Sequence, residues 1–254
     1  LTFAVLGMVM LANANDFIMS FIGLETMSIC LYIFAALYKT DSRSTEAGLK
    51  YFLLGAFASA FLLFGISLIY GVTGFTNYTI LNQPEMLEQL AQNETLFLVA
   101  VGLILVGFLF KVAAFPFHTW ATGSKLSAFV ALGVIMQKLD VLAFEKIAVI
   151  IAVTALFTMI YGNIVAARQN NLKRMLAYSS IAHSGYVLLG LLAANLGFQA
   201  MIFYMFIYTL MNIGAFGMVG MAEGEFEDTD MYRWKGLGKK SPLFAGGLAV
   251  FLFS

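Results

Sequence analysis

Long apolar runs, each close to the length of a membrane-spanning helix, limit what this chain can fold into. A helix needs about 20 mostly apolar residues to cross a bilayer, and the chain is 61% hydrophobic and only 11% charged. Soluble domains carry about 25% charged residues, so the composition predicts an all-α polytopic membrane protein. The net charge of zero gives no reason to expect a nucleic-acid partner.

The apolar runs predict seven complete or nearly complete spans and two cut ones. The first and last runs begin or stop inside an apolar stretch, so we interpret the sequence as a piece that is truncated at both ends. The runs are 1–12, 17–38, 47–72, 95–115, 124–139, 142–167, 172–194, 196–222 and 242–254. Basic residues gather in the loops at 39–50, 168–174 and 223–240, and the helix count places these loops on one side, as the positive-inside rule requires.

Lys111 is the most informative single residue. It follows fifteen uncharged residues, and Pro116 comes five residues later. A lysine this deep in an apolar helix costs about 2.5–3.5 kcal/mol on insertion scales and usually handles ions or protons. Because proline breaks a helix, the pattern predicts a discontinuous helix of the kind that ion-coupled transporters use.

Glu25 is the only charged residue of the run 17–38, and it is the natural partner for Lys111. At about 7 Å and an effective dielectric constant of about 20, their attraction is about 2.4 kcal/mol. The pair is therefore a candidate proton switch, in which the lysine keeps its proton beside the glutamate and releases it when the two separate. The alternative is a packing ion pair in a purely structural scaffold.

Three further residues are candidates for a proton relay, and each has a structural alternative. Lys125 opens the run after the break, and it is either functional or a lysine that snorkels at a helix end. His118 and His183 suit proton transfer, although a lone histidine among apolar residues is more often a hydrogen-bonded packing residue. Lys138, Asp140, Glu145 and Lys146 are expected to form a solvated turn.

Five stretches resemble the antiporter-like membrane subunits of respiratory complex I (NADH-quinone oxidoreductase), and most closely the N subunit, whose mitochondrial homologue is NADH dehydrogenase subunit 2. The matching stretches are FIGLETMSICLYIFAAL, GLKYFLLGAFASAFLLFGISLIYGVTG, FKVAAFPFHTW, NNLKRMLAYSSIAHSGYVLLG and WKGLGKKSPLFAGGLAVFLFS. The resemblance implies inverted five-helix repeats with a discontinuous helix near Pro116. The first repeat would span 1–140, with a gap near 121–122, and the second would span 141–254 and be cut in its own discontinuous helix.

The resemblance also implies roles for individual residues. Glu25 and Lys111 match the family's glutamate–lysine pair, Lys125 matches the relay lysine of the next helix, and His118 follows the break as in the family motif. The family's second broken-helix lysine lies beyond the end of this sequence. About fifteen residues of the family pattern are missing after Ala121, and if the protein itself lacks them we expect it to be inactive.

The implied function is a proton-translocating membrane subunit of NADH:quinone oxidoreductase, which is driven by redox chemistry in other subunits. The chain itself would hold no cofactor, because NADH, FMN, Fe–S clusters and quinone would bind to partner subunits. The expected partners are other membrane subunits of complex I and the lipid bilayer. The expected location is the bacterial inner membrane or, alternatively, an organellar energy-coupling membrane. The alternative function is a subunit of an Mrp-type cation/proton antiporter.

Overall fold

Nearly all of the described chain is helical. The computed structural model describes residues 1–114, 125–138, 141–226 and 230–253. Its α-helices are α1 (Thr2–Ala12), α2 (Phe17–Ala35), α3 (Ser42–Thr73), α4 (Pro84–Gln92), α5 (Glu94–Lys111), α6 (Lys125–Lys138), α7 (Val141–Ala167), α8 (Leu172–Gly190), α9 (Ala194–Phe226), α10 (Leu237–Lys240) and α11 (Pro242–Phe253). Two short 3-10 helices cover Tyr78–Asn82 and Met231–Trp234. The prediction of an all-α fold is confirmed.

Five of these helices are long and apolar enough to cross a membrane, namely α2, α3, α5 and most of α7 and α9. They are apolar around their circumference and expose large side chains, such as Phe57 of α3 at 66% and Phe203 of α9 at 69%. An extended apolar surface of this kind is stable in lipid, where every backbone polar group is satisfied inside the helix. The chain is therefore a multi-pass membrane protein.

Several predicted boundaries differ from the observed ones. Helix α5 ends at Lys111, four residues before the predicted end of the run at Phe115. The region 73–94, which we expected to be a polar loop, contains the first 3-10 helix and α4, because Pro84 favours the first turn of a helix. The predicted solvated turn is wrong for Lys138, which is the last residue of α6, and for Glu145 and Lys146, which lie in α7. Lys146 forms an ion pair with Glu94 at the start of α5. Asp140 lies outside the described residues.

The chain divides into two compact units, residues 1–152 and 153–254, so the division falls within α7. The assignment of the two repeats to 1–140 and 141–254 stays a prediction. In the first unit, α2, α3 and α5 pack side by side and α1 packs on α2 and α6. The backbones of α1 and α2 approach closely, since a Cβ atom at Gly7 would lie 2.5 Å from the backbone nitrogen of Met27. Small residues allow this approach between helices in a membrane.

In the second unit, α8 and α11 pack on α9. The core of this unit joins the start of α8 to the second half of α9, to the second 3-10 helix and to α11. It consists of Leu172, Leu176, Ala215, Val219, Trp234 and Leu248.

The segment that follows α3 returns to the start of α2. Asp16 caps α2 by accepting hydrogen bonds from the backbone N–H groups of Ile18 and Met19, and the backbone N–H of Phe17 donates to Thr76 at 2.9 Å. The side chain of Tyr78 is fully buried, with its ring centroid 4.6 Å from that of Phe17. Burial raises the pKa of Tyr78, so its hydroxyl stays neutral. These contacts anchor the first turn of α2, the helix that carries Glu25.

Candidate functional site

Lys111 is the last residue of α5, and its position depends on how that helix ends. The N–H of Ala113 donates to Phe110 at 3.1 Å and the N–H of Ala114 donates to Leu109 at 3.0 Å. This pair of bonds is a Schellman motif, which needs a left-handed residue after the helix. Ala113 takes that conformation with φ of 56°, although glycine is the usual residue there. The helix therefore ends at Lys111, among buried side chains.

The environment of Lys111 is closed but not apolar. Lys111 is 5% exposed. Its ammonium lies at the C-terminal end of α5, where the backbone carbonyls favour a positive charge. The rings of Tyr32 and Phe110 lie 5.5 Å and 5.8 Å from Nζ, within the range of cation–π attraction. A buried charge needs such partners, because an isolated one in this setting is strongly unfavourable.

Glu25 of α2 faces Lys111. The Oε1 atom of Glu25 lies 3.8 Å from Lys111 Nζ, and the glutamate side chain is 24% exposed against 3% for the lysine. This separation is shorter than the 7 Å we considered from the sequence. At an effective dielectric constant of about 20, the attraction is about 4 kcal/mol, which offsets the insertion cost of the lysine.

Within the described part of the chain, three hydroxyl groups contact the charged pair, and none of them was selected from the sequence. Lys111 Nζ donates to Ser28 Oγ at 2.8 Å and to Tyr32 Oη at 3.0 Å. Ser59 of α3 donates a hydrogen bond to the carboxylate of Glu25. The spacing of Glu25, Ser28 and Tyr32 places them on one face of α2, and this spacing is the one pattern that could have revealed them.

Tyr32 reaches Lys111 because α3 has a glycine at the point of contact. A Cβ atom at Gly55 would lie 1.9 Å from Tyr32 Oη. The Tyr32 ring also packs edge-to-face on Tyr51 of α3, with centroids 4.6 Å apart. The sequence run that contains Gly55 and Ser59 therefore shapes the wall of the site.

Lys125 is the first residue of α6, and it is 3% exposed. It lies in the same unit as the Glu25–Lys111 pair, and α6 packs on α1 and α5. Burial argues against the alternative of a lysine that snorkels to the membrane surface. Near it on α6, Ser127 Oγ lies 3.4 Å from the sulfur of Met27 on α2.

His183 lies in α8 and belongs to the second unit, whereas Glu25 and Lys111 belong to the first. Its Nδ1 atom lies 2.5 Å from Tyr204 Oη, and its ring is 4.7 Å from that of Tyr208. His183 and Tyr208 line a cavity of about 430 Å³ together with polar groups that include Asn163 and Asn212. A histidine in a cavity that also holds polar side chains is compatible with proton transfer.

His118, and the break near Pro116, lie outside the described residues. Among the residues that the structure describes, there is no group of three or more His, Cys, Asp or Glu side chains that could hold a metal ion.

Comparison with known proteins relates the whole chain to one group. Residues 14–254 match the family described as "NADH:quinone oxidoreductase/Mrp antiporter, TM". The curated NADH-quinone oxidoreductase subunit N 1 of Chloroherpeton thalassium is 43% identical over 273 aligned positions, which include 99% of this chain and 56% of that protein. The chain thus spans about half the length of the curated relatives it matches. The alignment is longer than this chain, so the relative has residues without a counterpart here. The predicted gap near 121–122 stays a prediction.

Two solved structures share the fold. A chain of respiratory complex I from Thermus thermophilus with bound aureothin is 34% identical, with a TM-score of 0.73 over 95% of this chain and 55% of that chain. A chain of the membrane-bound sulfane sulfur reductase, an archaeal respiratory membrane complex, is 26% identical, with a TM-score of 0.87 over 98% of this chain and 54% of that chain.

Proposed function

Because this chain belongs to the NADH:quinone oxidoreductase/Mrp antiporter transmembrane family, we propose that it is part of a proton-translocating membrane subunit of NADH:quinone oxidoreductase. The observation that carries the proposal is the enclosed ammonium of Lys111, held 3.8 Å from Glu25 where α5 ends. Ionisable groups at membrane depth are unfavourable without a function and mark ion and proton paths. The 43% identity to a subunit N relative supports the choice of enzyme.

In this mechanism, Lys111 is the residue that stores and releases a proton. While Glu25 is near, the lysine keeps its positive charge. A charge shift in a neighbouring subunit moves Glu25 away from Lys111, and the unpaired ammonium then loses its proton to a path of ordered water that leads to Lys125. His118 and His183 would continue the relay. The redox reactions take place in partner subunits, which bind NADH, FMN, Fe–S clusters and quinone.

The experiment compares NADH-driven proton pumping in membrane vesicles that contain the assembled complex with either the wild-type subunit or Lys111→Ala. We expect the variant complex to assemble and to lose pumping. The matched control is Lys50→Ala, since Lys50 pairs with Glu46 on the outside of α3 with side-chain exposures of 59% and 62%. An assembled Lys111→Ala complex that pumps normally would refute the proposed function. A wild-type complex that assembles and does not pump would indicate that the predicted gap after Ala121 is real.

The second candidate function is a subunit of an Mrp-type cation/proton antiporter, which the matched family also includes. It requires sodium-dependent proton transport without NADH or quinone. Proton movement in the same vesicles, driven by a sodium gradient in the absence of NADH, would favour this function over the first.

A further inference from the structure

The closest contacts of Lys111 among the described side chains are with neutral oxygens and not with the carboxylate. Nζ lies 2.8 Å from Ser28 Oγ and 3.0 Å from Tyr32 Oη, while the distance to Glu25 Oε1 is 3.8 Å. Hydrogen bonds from N–H to oxygen have lengths of about 2.7–3.2 Å. The ammonium is therefore bonded to the two hydroxyls and only electrostatically attracted to Glu25.

The Ser28 hydroxyl is oriented to accept from Lys111. A serine hydroxyl has one hydrogen and two lone pairs, and the Ser28 hydrogen is donated to the backbone carbonyl of Leu24 at 2.6 Å. The lone pairs are therefore left for Nζ. Ser28 and Tyr32 follow Glu25 along one face of α2, so the same helix presents the carboxylate and the two neutral acceptors to Lys111.

The carboxylate has its own holding group on a different helix. Ser59 of α3 donates to Glu25, and the same hydroxyl lies 3.0 Å from the backbone carbonyl of Gly55. When Glu25 moves, the hydrogen of Ser59 has this carbonyl as a second acceptor. Release of the carboxylate therefore leaves no buried donor without a partner, which would otherwise be strongly unfavourable.

We propose that Ser28 and Tyr32 hold the Lys111 ammonium, and Ser59 holds the Glu25 carboxylate, so that these three positioning residues keep the charged pair apart at a set distance. This inference rests on the proposed function, because the separation matters only if the pair transfers protons. The distance sets how strongly the pair attracts. Because the ammonium and the carboxylate are bonded to different hydroxyls, Glu25 can move without breaking a direct hydrogen bond to Lys111.

The test uses the assembled complex in vesicles and measures protons pumped per NADH oxidised across a range of pH, together with the rate of quinone reduction. The variants are Ser28→Ala, Tyr32→Phe and Ser59→Ala. Ser67→Ala is the matched control, since Ser67 lies on the exposed face of α3 and donates to the carbonyl of Phe64 in its own helix at 2.7 Å. Tyr51 of α3, whose ring packs on that of Tyr32, and Lys125 of α6 are left unchanged.

The variants that change the ammonium's partners should shift the pH profile of pumping in one direction, and the variant that changes the carboxylate's partner should shift it in the other. Ser28→Ala and Tyr32→Phe each remove an acceptor from the ammonium, so pumping should fail at a lower pH, by about one pH unit. Ser59→Ala frees the carboxylate to approach the ammonium, so the profile should move to higher pH. Ser28→Thr keeps the hydroxyl and should restore the wild-type profile, and quinone reduction in the control should not change.

Each other outcome has a definite meaning. Wild-type profiles in all three variants, together with loss of pumping in Lys111→Ala, would overturn the inference and leave the proposed function standing. A shift of the pH profile in the same direction in all three variants would overturn the inference and leave the hydroxyls with structural roles. A loss of assembly in Ser28→Ala that Ser28→Thr does not restore would have the same meaning. Normal pumping by Lys111→Ala would refute the proposed function itself.

Discussion

Gly55 and Tyr32 are in such close contact that any side chain at position 55 would collide with the tyrosine hydroxyl. A Cβ atom at Gly55 would lie 1.9 Å from Tyr32 Oη, and that oxygen accepts a hydrogen bond from Lys111 at 3.0 Å. The backbone of α3 therefore controls one of the groups that hold the buried ammonium. A change on α3 can alter the site without touching either charged residue.

The first prediction concerns Gly55→Ala. We expect the added methyl group to push Tyr32 away from Lys111, to lower the free energy of unfolding by about 1–3 kcal/mol, and to reduce pumping per NADH. Thermal unfolding of the purified complex and pumping in vesicles are the measurements. Gly71→Ala on the same helix is the control, because nothing lies within 4 Å of its added Cβ. It should be neutral or stabilising by up to about 1 kcal/mol. Equal effects of the two changes would contradict the prediction.

The second prediction concerns Ala113, whose φ of 56° is unfavourable for any residue with a side chain. Ala113→Gly removes a strain of about 1–2 kcal/mol, and the loss of a buried methyl offsets about 1 kcal/mol of that gain. We expect unchanged or slightly increased thermal stability and normal pumping. Ala113→Val combines a β-branched side chain with this backbone and should destabilise by about 2–3 kcal/mol. Ala152→Val on α7 is the control and should cost less than about 1 kcal/mol.

The charged residues of the site could be predicted from the sequence, and the hydroxyls could not. Glu25 and Lys111 are each the one charge in a long apolar run, so their burial and their need for a partner follow from the cost of a charge in the membrane. Ser28 and Ser59 are uncharged and small, and such residues occur throughout membrane helices. Their roles depend on the rotation of α2, α3 and α5 about their axes. That rotation is determined by contacts between residues that are far apart in the sequence.

The end of α5 was predicted too late for a related reason. Pro116 is a strong helix breaker, and no glycine lies between Lys111 and Pro116 to indicate an earlier end. The helix nevertheless ends at Lys111, with Ala113 in the left-handed conformation that glycine usually takes. Tertiary packing outweighs the local preference here, since Val112, Ala113 and Ala114 are completely buried.

The third prediction separates proton transfer from a scaffold role for the charged pair. Removal of one partner from a buried ion pair costs about 3–5 kcal/mol, whereas replacement of both by apolar groups is often neutral. We expect Glu25→Leu to destabilise more than Lys111→Met. The first variant leaves an unpaired lysine whose side chain is 3% exposed, whereas the second leaves an unpaired glutamate whose side chain is 24% exposed. The double variant should recover much of the lost stability but should not pump. Normal pumping by the double variant would support the scaffold alternative. Unfolding temperature and pumping per NADH are measured on the same preparations.

The last prediction tests His183 as a proton carrier against its role as a packing residue. His183 Nδ1 lies 2.5 Å from Tyr204 Oη, and the histidine lines a cavity of about 430 Å³. Glutamine can replace the hydrogen bond to Tyr204 but cannot gain and lose a proton near neutral pH. If His183 carries protons, His183→Gln should lower pumping per NADH by about tenfold or more while assembly and quinone reduction stay normal.

Two tyrosine variants show whether the hydrogen bond to His183 matters. Tyr204→Phe removes the hydroxyl that holds Nδ1 and should lower pumping, since the ring is then free to turn. Tyr186→Phe is the matched control, because the Tyr186 hydroxyl accepts from Asn163 at 3.0 Å and its ring only packs against His183 at 5.6 Å. Wild-type pumping in His183→Gln would make the histidine a packing residue.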